Sequence, residues 1–256
     1  MAEGDTIHRA ARRLDEALTG KPIREAVSPN PRAALGGSVE RLRGRRLQRA
    51  EARGKHLLLH FDEGLVVHSH LGMKGAWHVY PRRARWRRPR RSAWLVLSTK
   101  SHDAAQFGGS ILELLTEPEL RRHPRLARLG PDLLDPDFTP QRGVAALRSA
   151  PPQTQLGEAL LDQGVIAGIG NVYKSEGCFT ARLSPWRPLV ELSDEELHRV
   201  VEATTALMRQ SLEGRSPERR VYRRGKLPCP ACGAPLRARG QGDANRTTYW
   251  CGRCQT

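Results

Sequence analysis

The sequence predicts an α+β protein with several domains, and three observations support this class. The chain opens with an amphipathic helical pattern and continues as short β-rich segments to about residue 118. From Pro131 the pattern is helical, and the chain closes with four cysteines in two Cys-x-x-Cys pairs. Strands followed by helices are typical of α+β proteins or of separate domains, and 256 residues suffice for two domains and a module. We therefore predict domains at 1–118, 119–224 and 225–256.

The composition favours a nucleic-acid partner. The formal net charge is +16, and arginine, whose planar fork suits phosphate, outnumbers lysine. We expect no transmembrane helix, because no run of about 18 apolar residues occurs. The first residues have no apolar signal-peptide core, so we expect a cytoplasmic, nucleoid-associated location. A basic soluble protein and a binder of anionic membranes are alternatives, but no amphipathic anchor helix supports the second.

The N-terminal region begins with a helix over residues 3–18, where apolar residues recur at helical spacing. Gly20 and Pro22 end it. Two apolar runs, Lys55–Phe61 and Leu65–Ser69, flank the turn residues 62–64 and predict a β-hairpin. The other predicted strands are Trp77–Tyr80, Trp94–Ser98 and Gly109–Leu115. One helix with several antiparallel strands predicts a sandwich or barrel.

A second feature of this region is the run Arg82–Arg91, with seven arginines in ten residues. Such a block is most often a solvated, mobile loop. It is also able to contact phosphates without sequence preference.

The helical region is predicted to contain four helices: 143–147, 155–163, 172–178 and 194–212. Its central stretch is LLDQGVIAGIGNVYKSE, residues 160–176. Gly168 and Gly170 permit positive φ and close approach of a ligand. Asn171 is a suitable N-cap, and free N–H groups behind it form an anion site. The alternative is an ordinary helix–turn–helix corner with glycine for packing.

The terminal cysteines predict a structural zinc site. Cys229 and Cys232 are separated from Cys251 and Cys254 by 18 residues, and two thiolate pairs supply four sulfurs at tetrahedral geometry. An iron site or two disulfides are the alternatives. About 30 residues bury little core, so the metal is expected to hold this module folded. Cys178 is interpreted as a small buried apolar residue.

Taken together and in order, these motifs resemble the formamidopyrimidine-DNA glycosylase/endonuclease VIII family of base-excision repair enzymes. The resemblance covers nearly the whole chain and rests on AEGDTIHRAARRL, Gly54–Leu57, His70–Gly75, Leu129–Asp132, residues 160–176 and CPACG…RTTYWCGRCQ. It implies an N-terminal β-sandwich with flanking helices, a helix-two-turn-helix domain and a C-terminal zinc-finger hairpin. It also implies double-stranded DNA containing oxidised bases or abasic sites as the partner, and we expect a monomer.

The resemblance further implies roles for individual residues. The α-amine of residue 2, exposed when Met1 is removed, attacks the sugar C1′, with Glu3 as general acid at the ring oxygen. Lys55 contacts a phosphate near the lesion, and Met73 fills the gap left by the everted base. Flanking phosphates are held by Asn171 and Arg246. The opening Gly4–His8 resembles the endonuclease VIII branch, which prefers oxidised pyrimidines.

One position departs from the family: residue 2 is Ala2 instead of proline. Alanine keeps a nucleophilic α-amine, which titrates near 8 and lower at a helix N-terminus. Its imine must be protonated to act as an electron sink, whereas the iminium of proline is charged by necessity. We therefore predict a bifunctional glycosylase and abasic-site lyase that is impaired by Ala2. The alternatives are a non-catalytic binder of damaged DNA and a zinc-ribbon adaptor without damage preference.

Overall fold

The computed structural model describes residues 2–33, 35–215 and 217–256, so Met1 lies outside the described residues. The chain divides into two compact units between Ala127 and Arg128. The helices are α1 Gly4–Leu18, α2 Glu117–Arg121, α3 Pro124–Ala127, α4 Pro140–Arg148, α5 Leu156–Ala159, α6 Asn171–Ala181 and α7 Asp194–Leu212. The strands are β1 Glu25–Val27, β2 Leu47–Arg53, β3 His56–Phe61, β4 Leu65–His70, β5 Ala76–Pro81, β6 Leu95–Ser98, β7 His102–Phe107, β8 Ile111–Thr116, β9 Arg237–Gln241 and β10 Arg246–Trp250. Among the residues that the structure describes, no helix is long and apolar enough to span a bilayer.

The first unit is a β-sandwich, as expected. Its two antiparallel sheets have the strand orders β2–β3–β4–β8 and β1–β6–β7–β5. Alternate residues of the strands, such as Leu57, Leu59 and Val67, are fully buried in one core with Leu95 from the other sheet. Burying one face of each sheet against the other supplies the main stabilisation of a sandwich.

Helix α1 completes this core. Ile7, Leu14 and Leu18 are fully buried and share one side of the helix, as the helical spacing predicted. The helix begins at Gly4 and ends at Leu18, so the predicted end before Gly20 is confirmed. Gly20 has a φ of +73°, which glycine adopts without strain.

Three strands were not predicted from the sequence. β2 is largely polar and partly exposed, β7 has only one large apolar residue, and β1 has three residues. Such strands carry little of the β-branched and aromatic signal on which the prediction depends. Pairing with better-marked neighbours determines their structure, because β2 pairs with β3 and β7 lies between β5 and β6.

The second unit packs helices around a separate core. α7 begins with a capping box, in which Ser193 and Glu196 satisfy each other's backbone N–H. The predicted helix 155–163 is wrong in length, since the structure has a helix only at Leu156–Ala159. The carboxylate of Asp162 accepts from Gly164 N at 2.8 Å and turns the chain there.

The C-terminal finger is the hairpin of β9 and β10 with the cysteine quartet, and the segment before it is fixed to α6. The buried carboxylate of Glu176 accepts three backbone N–H groups, from Arg220, Val221 and Tyr222, at 2.8–3.0 Å. Burial raises the pKa of Glu176, and these hydrogen bonds oppose that rise. The segment that leads into the finger is therefore held against the helix.

Candidate active site and nucleic-acid interface

The start of α1 lies at one identifiable end of the sandwich. Ala50 N donates to Asp15 Oδ1 at 2.8 Å, and Thr19 bridges to Leu47. The helix therefore runs antiparallel to β2. Its first residues point towards the end of β2, where the turn of Gly54 and Lys55 begins.

At this end, Glu3 is the N-cap residue of α1. Its carbonyl accepts from Thr6 N at 2.9 Å and from Ile7 N at 3.2 Å, and only 2% of the residue is exposed. Ala2 is partly buried and packs against the sandwich core. Residue 2 thus directly precedes a helix N-terminus, where the dipole disfavours a cation.

Lys55 lies in the two-residue turn between β2 and β3. Gly54 before it has a φ of +57°, which favours glycine, and Arg53 pairs with His56 across the turn. His56 in turn pairs with His70 at the end of β4. Burial, and then the charge of Lys55, lower the pKa of His70 to about 4. Because Lys55 directly precedes His56, which pairs with His70, a cationic side chain lies near the end of β4.

Met73 lies in the turn Leu71–Gly75 that follows β4. Gly75 N donates to Leu71 O at 2.9 Å, and a Cβ at Gly75 would approach that oxygen to 2.4 Å. Only glycine allows so close a turn. The side chain of Met73 is 68% exposed, an uncommon state for so large an apolar residue. The start of α1, Lys55 and Met73 thus lie at one end of the first unit.

Neighbouring Gln106 differs from the other residues at this end. It is fully buried, and its Nε2 donates to Gly108 O at 2.8 Å. Phe107 is also buried. The position before Phe107–Gly108 therefore carries a neutral amide that closes a turn, and it presents no cation at the surface.

In the second unit the Gly-rich turn is braced by Gln163. Its Oε1 accepts from Gly168 N at 3.0 Å, and its Nε2 donates to Ile169 O at 3.0 Å. Gly168 has a φ of +94°, as a glycine turn requires, whereas Gly170 is extended. The prediction that Asn171 is the N-cap is wrong, because Gly170 is the N-cap and α6 begins at Asn171.

The side chain of Asn171 has a different partner. Its Nδ2 donates to Thr247 O at 2.7 Å, and its Oδ1 is buried without a hydrogen-bond partner in the described structure. Thr247 follows the exposed Arg246 at the start of β10. The structure thus brings Asn171 and the strand of Arg246 together.

Sequence reasoning missed three residues that support this junction. Lys174 is fully buried, and its Nζ donates to Thr248 Oγ1 at 2.5 Å. Thr248 Oγ1 donates to Gln241 Oε1 at 2.6 Å. Lys174 belongs to the motif of residues 160–176, but nothing in its helical position indicated that the finger would cover it.

The four cysteines of the finger lie close enough to share one ion. Cys229 Sγ and Cys254 Sγ are 3.9 Å apart, and Cys232 Sγ and Cys251 Sγ are 3.6 Å apart. Tetrahedral zinc with bonds of about 2.3 Å requires sulfur separations of roughly 3.8 Å. The quartet therefore fits a structural metal. Cys178 is fully buried elsewhere, and burial raises the pKa of its thiol to about 12, as expected of an inert residue.

Comparison with known proteins identifies the family. Residues 1–110 match the formamidopyrimidine-DNA glycosylase N-terminal domain, and residues 129–220 match the formamidopyrimidine-DNA glycosylase H2TH domain. A probable endonuclease 8 of Streptomyces coelicolor is 41% identical over 266 residues, which cover 100% of this chain and 94% of that protein. This chain belongs to the formamidopyrimidine-DNA glycosylase/endonuclease VIII family.

Two further similar proteins are formamidopyrimidine-DNA glycosylases. The formamidopyrimidine-DNA glycosylase of Thermus thermophilus is 33% identical over 278 residues, covering 100% of this chain and 98% of its own. A structure of the Lactococcus lactis formamidopyrimidine-DNA glycosylase with abasic-site DNA superposes with a TM-score of 0.83 over 100% of both chains. At 21% identity that similarity shows the fold alone.

Proposed function

We propose that this protein is a bifunctional DNA glycosylase and abasic-site lyase that removes oxidised bases, with pyrimidines preferred. The observation that carries the proposal is the convergence of the start of α1, Lys55 and Met73 at one end of the sandwich. Membership of a DNA-glycosylase family supports it. By the resemblance, the purine-directed branch usually has arginine just before Phe-Gly, whereas this chain has the neutral, buried Gln106 before Phe107 and Gly108. This difference supports the pyrimidine preference.

In the proposed reaction the α-amine of Ala2 attacks C1′ of the damaged nucleotide. The new N–C1′ bond replaces the glycosidic bond, the base departs with a proton, and Glu3 protonates the ring oxygen as the sugar opens. The resulting Schiff base accepts electrons while the 3′ and then the 5′ phosphate leave by β,δ-elimination. Hydrolysis of the final imine returns the amine. Met73 occupies the gap in the duplex.

The phosphates flanking the lesion are proposed to contact Lys55, Asn171 and Arg246. Arg246 is exposed at the start of β10, and Asn171 is fixed to the next residue of that strand. Cationic and amide donors in such positions fix the register of a duplex without reading its sequence. Zinc held by the cysteine quartet would keep this strand in place.

Ala2 is expected to slow the reaction rather than change its course. A primary amine retains the nucleophile, but its iminium carries an N–H proton that it can lose, and the neutral imine is a poorer electron sink. Alanine also lacks the pyrrolidine ring that fixes the direction of the nitrogen in the family's proline. The reaction requires that Met1 be removed, so that the α-amine of Ala2 is free. We further propose that the protein acts as a monomer and is associated with the nucleoid in the cytoplasm.

Borohydride trapping tests the proposal on duplex DNA that contains one oxidised thymine. A covalent adduct should form with the wild-type chain, increase with Ala2→Pro and disappear with Glu3→Gln. Mass spectrometry of the same preparation must show that Met1 is absent. No adduct with correctly processed wild-type protein, at any protein concentration that saturates the DNA, would contradict lyase chemistry.

The second candidate is a non-catalytic binder of damaged or abasic DNA, which Ala2 favours. It predicts preference for lesion DNA over intact duplex without strand scission. Restoration of cutting by Ala2→Pro alone would support this candidate, whereas scission by the wild-type chain would exclude it.

A further inference from the structure

The outer face of the sheet β2–β3–β4–β8 carries a cluster of buried imidazoles. Leu57, Leu59 and Val67 face the core, so the alternate residues of β3 and β4 lie on the opposite face. This opposite face carries His56, His60, His68 and His70. From the sequence alone, His68 and His70 are interpreted as the polar face of a strand, but the structure leaves His56 only 8% exposed and His68 not at all.

Two further groups complete the cluster. Glu113 on β8 pairs directly with His68 on β4, and His123 approaches from the connection between α2 and α3. Glu113 Oε1 lies 2.7 Å from His68 Nδ1 and 3.1 Å from His123 Nε2. One donor atom from each of these residues lies within 4.8 Å of the others.

We propose that His68, Glu113 and His123 form a second metal site, which binds a divalent transition-metal ion such as Zn²⁺. Two imidazole nitrogens and one carboxylate oxygen are a common ligand set for zinc, with bonds of about 2.0–2.2 Å. Glu113 Oε1 is at hydrogen-bond distance from the ring nitrogens of His68 and His123. A small outward shift of the three side chains would open these distances to those between ligands of one metal ion. Nitrogen donors make Mg²⁺ and Ca²⁺ poor candidates.

The surroundings prepare these ligands for a metal. His56 Nδ1 lies 2.8 Å from His68 Nε2, a hydrogen bond that fixes the ring as outer-shell partners of metal ligands do. His123 Nε2 faces Glu113, and the other ring nitrogen, Nδ1, is buried without a hydrogen-bond partner among the described residues.

The site is accessible from solvent. The side chain of Glu113 is 37% exposed and that of His123 is 15% exposed, whereas that of His68 is buried. Arg125 is exposed nearby and its charge disfavours a cation, but the carboxylate of Glu113 contacts the ligands directly. Three protein ligands leave a coordination position for water. The bound ion would link the α2–α3 connection, through His123, to strands β4 and β8, through His68 and Glu113.

Metal stoichiometry tests the site in the full-length protein. After equilibration with a small excess of Zn²⁺ and gel filtration, elemental analysis should find two zinc ions per wild-type chain. Glu113→Gln and His123→Gln should each retain one, which belongs to the cysteine quartet. His102→Gln, on the other sheet, is the matched control and should retain two.

Titration with Co²⁺ gives an independent result, because only the quartet produces thiolate-to-cobalt charge transfer in the near ultraviolet. A second equivalent with visible bands and no added charge transfer supports the site, provided that Glu113→Gln abolishes it. Because glutamine has nearly the same shape as glutamate, Glu113→Gln is expected to fold like the wild type, and circular dichroism checks that it does. The proposal is overturned if the wild-type chain binds only one equivalent of Co²⁺. It is also overturned if both Glu113→Gln and His123→Gln still bind the second equivalent.

Discussion

At the residue scale, a substitution of Met73 tests whether this side chain contributes to lesion binding and not to the stability of the fold. Its side chain is 68% exposed, so Met73→Ala should change the free energy of unfolding by no more than about 0.5 kcal/mol. The ratio of affinities for lesion and intact duplex should nevertheless fall, because the gap in the duplex is left unfilled. Fluorescence anisotropy with both duplexes measures this ratio. Val190→Ala, at another exposed apolar residue, is the control and should leave the ratio unchanged.

The buried histidine cluster predicts loss of stability in acid. Burial, followed by the charge of His68, lowers the pKa of His56 to about 3, while the unfolded chain protonates it near 6.5. Between these values the unfolded state binds the extra proton, so stability falls as pH decreases. The slope attributable to this residue is about 1.4 kcal/mol per pH unit.

Urea denaturation of the full chain from pH 6.5 to 4.5 measures this slope. His56→Gln should reduce it by about one proton's contribution, and His102→Gln should not. An identical slope in wild type and His56→Gln would show that His56 takes up its proton in the folded state.

Residues differ in how far the sequence predicts them. Glu3 and Met73 are recognisable in motifs, and local geometry then places them, one at a helix start and one in a glycine turn. Lys174 and Glu176 belong to an equally recognisable motif, yet their roles depend on partners 44 to 74 positions away. Contacts at such separations leave no local pattern, and so the structure was needed to find them.

At the element scale, α6 and β10 form a single DNA-facing unit in our proposal. Arg246→Ala should weaken DNA binding across sequences and reduce the slope of log K against log salt by about one unit, because one phosphate contact is lost. Binding isotherms at several salt concentrations measure the slope. Arg199→Ala, at an exposed arginine of α7, is the control.

Asn171→Ala has a second expected effect, because Asn171 also holds Thr247. Beyond the change in salt slope, faster hydrogen exchange is expected in β10. An unchanged slope in both Asn171→Ala and Arg246→Ala would remove the phosphate roles.

The arginine run is an element with its own attachment. Trp86 stacks on Tyr80 with ring centroids 4.9 Å apart, and Arg90 lies over Trp86 while it pairs with Glu25. The centre of the run is therefore packed on the sheet, and all seven of its arginines remain exposed, as predicted. It begins at the end of β5 opposite to the turn of Met73.

Exposed cations at this opposite end predict binding of undamaged duplex without sequence preference. Replacing Arg83, Arg85 and Arg87 with glutamine should lower affinity for intact DNA and reduce the salt slope by up to about three units. The charge-matched control replaces Arg142, Arg199 and Arg209. Equal effects of the two triple variants would indicate that only net charge matters.

At the scale of the whole molecule, zinc removal should affect the two units differently. The finger covers Lys174, and loss of the finger would leave that buried lysine without Thr248. A strong chelator should therefore increase hydrogen exchange in β9, β10 and α6 while exchange in the sandwich stays slow. Zinc restores protection if the quartet is structural. Protection of β10 that survives complete zinc removal would contradict this role.

The sequence largely predicts the architecture of each unit, and the elements that it fails to predict share a physical reason. Periodicity and turn residues predicted α1, the β3–β4 hairpin and α7, because each has a strong local signal. β2 and β7 lack that signal and take their structure from pairing. The division at 118 and 224 stays a prediction, beside a structural division at Ala127.

Three side chains of α6 each hold a different partner: Asn171 and Lys174 bind the finger, and Glu176 binds the segment before it. Since consecutive helical residues are rotated by about 100°, inserting or deleting one residue early in this helix would misdirect these attachments together. Length variation should therefore be rare in α6 among related chains and common in surface connections such as Arg82–Arg91. Helix length, more than the identity of any one side chain, is what natural variation has to preserve here.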